Sequence, residues 1–214
     1  MQFAVIGLGK FGLTAALELQ QLNNRVTGID LDEKEVEKLS SVLSYAVIAD
    51  STDKGALEEL NIADYDGVLV SIGDDLEASL LTTLNLQSLN VKNIWVKAKS
   101  QAHATVLKGL GVEHVVQPEQ DMGIRIAQAM NYPMVQHYMP LGSDYFLIKI
   151  IIKHTLKHTL QDLQHKYPEC RFMAVRRERE LISPLSNDFH FLQEDRLLVI
   201  GELDTLKTLA LEFA

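Results

Sequence analysis

The chain has 214 residues, 47% of them hydrophobic and 23% charged, with a formal net charge of −9. That balance suits a soluble globular protein of one or two domains with a real core. The basic residues are dispersed and do not form a stripe, which argues against nucleic acid as a partner, and the net acidity disfavours direct adsorption to anionic lipid. No apolar stretch reaches the roughly 20 residues that a membrane span needs, and the first residues lack the charged start of a signal peptide, so a cytoplasmic location is expected. Cys170 is the single cysteine, which leaves neither a disulfide framework nor a cysteine-based metal cluster.

In chain order, Gln2–Ile6 predicts a strand that runs into Gly7-Leu8-Gly9-Lys10-Phe11-Gly12, followed by a helix over Lys10–Leu22 and a second strand over Arg25–Asp30. A G-x-G-x-x-G that follows a strand and opens a helix, with an acid about 20 residues on, predicts a nucleotide-binding βαβ unit. Gly7 permits the tight turn, Gly9 lets backbone approach a diphosphate, and Gly12 lets the helix lie on the sheet. The helix N-terminus supplies N–H groups for phosphates. Asp30 sits where an acid accepts hydrogen bonds from both ribose hydroxyls, which disfavours the 2′-phosphate of NADP. Asp32 reads first as a cap for the helix after it.

The alternation continues: helix Lys34–Ser41, strand Ala46–Ala49, helix Lys54–Leu60, strand Gly67–Ile72, helix Leu76–Leu89, strand Asn93–Lys97, helix Gln101–Leu110 and strand His114–Gln117. This predicts an α/β fold, a Rossmann-like doubly wound parallel sheet over residues 1–118 whose carboxyl strand ends line one crevice. At those ends, Asp50 with a hydroxyl of Ser51 or Thr52 can bond an adenine edge, or Ser51 and Thr52 can cap the next helix. Ser71-Ile72-Gly73-Asp74-Asp75, which ends the fourth strand, is either ligand lining or a simple turn, with Gly73 permitting close backbone approach. Lys97 and Lys99 flank Ala98 and are read as placing one ammonium on each side of the chain, at least one of them facing phosphate.

Asp121–Met139 reads as an amphipathic helix interrupted at Asn131-Tyr132-Pro133, with a hinge in a linker over 119–134. Residues 135–214 then predict a small α+β lobe: strand Tyr145–Ile152, helix His158–Gln164, strands Arg171–Arg176, Glu180–Ser183 and Arg196–Gly201, and helix Asp204–Glu212. The run Arg176-Arg177-Glu178-Arg179-Glu180 reads as a charged hairpin turn. At ~70 residues such a lobe is near the lower limit for an independent core, so pairing with a second copy is expected.

With these residues in place, the chain resembles the RCK (KTN) family of potassium-transport regulators, in particular the KtrA/TrkA-like cytoplasmic subunits of Ktr systems, with a TrkA-N and a TrkA-C part. The resemblance rests on Val5–Gly12, on Leu69-Val70-Ser71-Ile72-Gly73 with Ala78-Ser79 and Thr82-Thr83, on Ile94–Ala98, and on Pro118-Glu119-Gln120-Asp121-Met122-Gly123. In the second lobe it rests on Leu160–Leu163, Ile182-Ser183-Pro184 and Glu194–Gly201.

The resemblance implies a gating module that binds ATP or ADP, with NAD or NADH as alternatives. The implied contacts are Gly7, Gly9, Lys10, Phe11 and Gly12; Asp30, Leu31 and Asp32; Asp50 and Ser51; Ile72, Gly73 and Asp74; Lys97, Ala98 and Lys99; and His103 nearby. It further implies a homo-oligomer from dimer to octameric ring, docked on a membrane channel subunit of the KtrB/TrkH type at the inner membrane. Glu119 would meet its mate across the dimer and hold a divalent or monovalent cation when ATP is bound. Cyclic di-AMP at the C-terminal lobe is a further ligand among relatives. Lys10 departs from the family's arginine, keeping the charge without a bidentate fork. The alternative class is a small NAD-dependent oxidoreductase, but the sequence offers no Cys/His or Tyr/Lys pair for hydride transfer and no Walker-type phosphate loop.

Overall fold

The computed structural model describes residues 1–39, 42–131 and 135–213. They divide into two compact units, Met1–Glu119 and Gln120–Ala214.

The first unit alternates β1 (Gln2–Ile6), α1 (Lys10–Gln21), β2 (Arg25–Asp30), α2 (Glu33–Leu39), β3 (Tyr45–Ile48), α3 (Lys54–Glu59), β4 (Gly67–Val70), α4 (Leu76–Ser88), β5 (Ile94–Lys97), α5 (Gln101–Gly109) and β6 (His114–Val116). α6 (Pro118–Asn131) follows. The strands pair in parallel in the order β3-β2-β1-β4-β5-β6. Both faces of the sheet are apolar because each is covered. Ala4 and Ile6 of β1 pack into one core with Val68, Val70 and Leu107, while Val5 between them packs into another with Leu8, Val26 and Val36. That is the two-residue period of a strand read on two sides.

The chain runs outward from β1 through β2 to β3, then returns to lay β4 on the other side of β1. The reversal opens a crevice beyond the carboxyl ends of β1 and β4, the position where such sheets bind ligands. Helix starts are marked by side chains: Asp53 accepts from Gly55 N–H, Asp75 from Ala78 N–H, and Ser100 from His103 N–H. α1 differs, beginning at Gly9 without a side-chain cap, so its first N–H groups remain for another partner.

The second unit contains β7 (Val135–Gly142), β8 (Tyr145–Ile151), α7 (Leu160–Lys166), β9 (Arg171–Arg177), β10 (Glu180–Ile182), β11 (Arg196–Glu202) and α8 (Leu203–Glu212). Its sheet is antiparallel in the order β10-β9-β11-β8-β7. Ile148, Ile150, Val175, Leu197 and Val199 bury one face of that sheet against Leu160, Leu163, Leu206 and Leu209 of the helices and Phe213 after α8. Thr159 and Asp162 form a reciprocal capping box that starts α7.

One expectation is corrected. The helix read over Asp121–Met139 stops at Asn131, and Met139 belongs to strand β7. Ser143 and Asp144, both at positive φ, make a two-residue turn that folds β7 back on β8, with Gly142 opposite Tyr145. Pro140 is tolerated because β7 is the edge of the sheet. The hinge read at Asn131-Tyr132-Pro133 includes Tyr132 and Pro133, which lie outside the described residues.

Candidate nucleotide-binding site

The three glycines of the first turn differ in what they do. Gly7 has φ +90°, and a Cβ there would lie 2.9 Å from the Ser71 backbone carbon. At Gly12 a Cβ would stand 1.9 Å from the Gly7 carbonyl oxygen, so only glycine lets α1 lie this close to the turn. Gly9 has an ordinary φ of −61° and nothing within 4 Å of where its Cβ would be. Neither backbone strain nor internal packing asks for glycine at position 9. A side chain there would stand in open space that two cavities share.

Asp30 ends β2 and does more than the sequence suggests. Its Oδ2 accepts the Leu8 N–H at 2.6 Å and its Oδ1 accepts the Asp32 N–H at 2.9 Å. The carboxylate therefore holds the glycine turn in place while lining the crevice. Asp32 accepts the Lys34 N–H at 2.9 Å and starts α2, the capping role read for it.

The crevice consists of two adjoining cavities. The smaller, of about 320 Å³, lies over the ends of β1, β2 and β4 and is walled by Asp30, Leu31, Asp50, Ser51, Thr52 and Ile72. The larger, of about 700 Å³, is walled by Lys10, Phe11, Lys97, Lys99 and Glu119. Gly9, Ser71, Gly73 and Asp74 line both, so a ligand with two parts can span them across this common rim. Both volumes lie in the range of small-molecule sites.

Within the smaller cavity, Asp50 Oδ1 accepts from the Thr52 N–H at 2.9 Å and from the Thr52 hydroxyl at 2.7 Å, and these bonds hold its carboxyl below the ordinary range. Ser51 is buried, its hydroxyl 2.8 Å from that of Thr82. Neither Ser51 nor Thr52 caps α3, because Asp53 does so. The Ser51–Thr82 contact joins the segment after β3 to the buried face of α4 across 31 residues of sequence.

In the larger cavity Lys97 Nζ lies 2.7 Å from Glu119 Oε1 and 5.6 Å from the centre of the Phe11 ring. The Lys97 ammonium bonded to Glu119 holds that carboxyl below its ordinary value. Lys99 pairs with Asp74 at 3.4 Å. The reading that Lys97 and Lys99 point to opposite sides is wrong: both line this cavity. Residues two apart share a face of extended chain, and Ala98 between them is the one turned inward, 1% exposed and donating its N–H to Val116.

Gly12, Asp32, Ala98 and His103 line neither cavity. His103 is buried on α5, where Nδ1 accepts the Lys99 N–H at 3.3 Å and burial pushes its imidazole below the ordinary value. It shapes the Lys97–Lys99 segment from behind. Among the described residues no group of three His, Cys, Asp or Glu is placed to hold a metal ion.

Comparison with known proteins follows this geometry. Residues 3–118 match the TrkA-N domain family. The chain is 40% identical over 206 residues to Ktr system potassium uptake protein C of Bacillus subtilis, covering 94% of this chain and 92% of that protein. It is 35% identical over 210 residues to Ktr system potassium uptake protein A of the same organism, covering 96% and 94% respectively. The protein A of Vibrio alginolyticus is 36% identical over 207 residues, covering 96% of this chain and 94% of that one.

Among solved structures, the GsuK channel superposes with a TM-score of 0.68 at 15% identity, covering 99% of this chain. This chain spans 39% of that one, and the likeness is one of fold. The chain therefore belongs to the TrkA-N family and, along nearly its whole length, to the family of Ktr-system potassium uptake proteins.

Proposed function

We propose that this chain is the cytoplasmic, nucleotide-sensing regulatory subunit of a potassium uptake system and acts on a membrane channel subunit instead of catalysing a reaction. Its relatives are Ktr-system potassium uptake proteins, and no helix among the described residues is long and apolar enough to cross a membrane. The observation that carries the nucleotide reading is Gly9, which no feature of the protein's own packing requires and which keeps open the join between an acid-lined and a lysine-lined cavity. On this reading Asp30, which lines the smaller cavity, would accept ribose hydroxyls, the uncapped N–H groups of α1 would donate to a diphosphate, and Lys10, Lys97 and Lys99 would meet further negative charge.

ATP and ADP fit this order of groups. The 700 Å³ of the larger cavity also has room for the second half of NAD, which keeps the dinucleotide as a second reading. In either case the ligand biases the channel only through a difference in affinity between two conformations of the assembled subunits. We further propose assembly from dimers into an octameric ring. In it two Glu119 carboxylates approach each other, and a cation offsets their repulsion when ATP is bound. Cyclic di-AMP at the C-terminal lobe is part of the same proposal by family alone.

The test is isothermal titration of the purified chain with ATP, ADP, NAD and NADH, with light scattering on the same samples. Saturable binding of at least one of them to an oligomer is expected. Absence of heat with all four, or a monomer at micromolar concentration, would contradict the reading. Turnover of nicotinamide absorbance with candidate substrates would favour the oxidoreductase alternative.

A further inference from the structure

We infer that Lys97 is the residue that reads the terminal phosphates of the nucleotide, and that Glu119 is a built-in competitor which the ligand must displace from it. The inference rests on the nucleotide reading above. Its starting point is a carboxylate lying across an ammonium inside the cavity, at 2.7 Å.

The two partners of this pair are unequally held. The Lys97 side chain is 14% exposed and that of Glu119 is 72% exposed. Phe11 stands beside the ammonium, its ring centre 5.6 Å away, whereas Glu119 is the partner that lies mostly in water. When the pair opens, Glu119 is the member that swings away.

The other two ammonium groups of the cavity are different. Lys10 has no ion pair among the described residues, and Lys99 meets Asp74 at 3.4 Å with both side chains exposed, a contact that water screens. Lys97 alone is sheltered, and charge pairs strengthen as solvent is excluded. It is the group whose change of partner most alters affinity.

Adenosine in the smaller cavity brings a first phosphate only to the common rim at Gly9 and Gly73. Further phosphates enter the larger cavity, where each added negative charge competes better with one carboxylate for Lys97. Glu119 thus sets a threshold on ligand charge: AMP leaves the pair closed, ATP opens it. NAD places there a phosphodiester with one negative charge and no terminal phosphate, so it competes for Lys97 less well than ATP.

Displacement has a second consequence. A carboxylate released beside phosphate is an uncompensated like charge, and a cation between the two becomes favourable. While Lys97 holds Glu119, that carboxylate is already neutralised. Cation binding and displacement by ATP are therefore coupled, each strengthening the other by the same factor.

The experiment measures the affinities of AMP, ADP, ATP and NAD at low salt with EDTA for wild type, Glu119→Gln, Lys97→Gln and the double variant. Glu119→Gln is expected to tighten ATP by about 2- to 5-fold, the scale of one partly exposed ion pair, to tighten NAD less, and to leave AMP unchanged. Lys97→Gln is expected to weaken ATP about tenfold and to cancel the effect of Glu119→Gln. A pair that merely anchors α6 would shift all four ligands alike. Wild type that binds ATP while Glu119→Gln leaves it unchanged, or shifts ATP and AMP equally, overturns the competitor role alone. Wild type that binds none of the four overturns the nucleotide reading and this inference with it.

Discussion

Lys97–Glu119 in the first unit and Arg177–Asp195 in the second are both ion pairs, and burial gives them opposite uses. Asp195 is 1% exposed and accepts from Arg177 Nε at 2.9 Å, Arg177 Nη2 at 2.8 Å and the Leu192 N–H at 2.8 Å. Arg177 also donates to the His190 carbonyl and lies over the Phe189 ring at 5.2 Å. Both Asp195 oxygens are committed, and the pair ties β9 to the turn before β11. Glu119 makes one contact to a lysine at the mouth of a cavity and is mostly in water. A pair whose carboxylate is buried and saturated fixes a fold. A pair with one exposed, lightly held member can be exchanged for a ligand.

The largest expected effect comes from breaking the buried pair. Arg177→Met leaves Asp195 charged and enclosed, which should cost about 3 to 5 kcal/mol of stability. Arg177→Lys should fall between it and wild type, because an ammonium lacks the fork that meets both carboxylate oxygens. Urea denaturation followed by far-UV circular dichroism measures both. Glu119→Gln in the same assay should stay within about 0.5 kcal/mol of wild type, as surface changes do. Equal losses for Arg177→Met and Glu119→Gln would erase the distinction between the pairs.

Next in size is Asp30. Asp30→Ala should cost about 1.5 to 3 kcal/mol of adenine-nucleotide binding, the scale of a hydrogen bond to a charged group. The same change removes the acceptor of the Leu8 N–H, so Asp30→Asn, which keeps an oxygen for that donor, separates the two roles. Titration of each variant with ADP should show affinity lost in both and stability lost more in the alanine variant.

Cys170 gives the smallest effect and reports on the second unit alone. Burial, with Glu169 adding to it, pushes its thiol up to about 11, so the native state holds the proton more tightly than the unfolded chain. This stabilisation is fully present below the ordinary thiol value and is lost as pH rises toward about 11. The thiol should resist iodoacetamide at pH 8 until denaturant opens the second unit. Rapid labelling without denaturant would contradict its placement.

How much of this was legible in the sequence follows the range of the interactions. The glycine turn, β1 and β2 are local patterns, and their limits Gln2–Ile6 and Arg25–Asp30 are read directly from alternation between turn signals. Asparagines at positive φ, such as Asn23, Asn61 and Asn90, similarly mark where helices give way to the next segment. β7 is a strand through its pairing with β8 and not through its own periodicity, which suggests a helix as far as Met139. In the site, Asp30 was found as an acid at the right distance, but its bond to Leu8 was not, since it depends on how closely two strands lie. The Lys97–Glu119 pair was missed for the same reason: nothing in either neighbourhood says that the end of β5 and the start of α6 meet. Lys97 and Lys99 share one side because residues two apart in extended chain face the same way.

The most direct test of the account is Gly9→Ala. The backbone at Gly9 suits alanine, and the added methyl meets no protein atom within 4 Å, so stability should change by no more than about 1 kcal/mol. The same methyl projects into the join of the two cavities, so calorimetric titration should show ATP binding saturably to wild type and about tenfold or more weaker to the variant, a difference of ~1.4 kcal/mol. A folded Gly9→Ala protein that binds ATP as tightly as wild type would contradict the claim that this crevice holds the nucleotide.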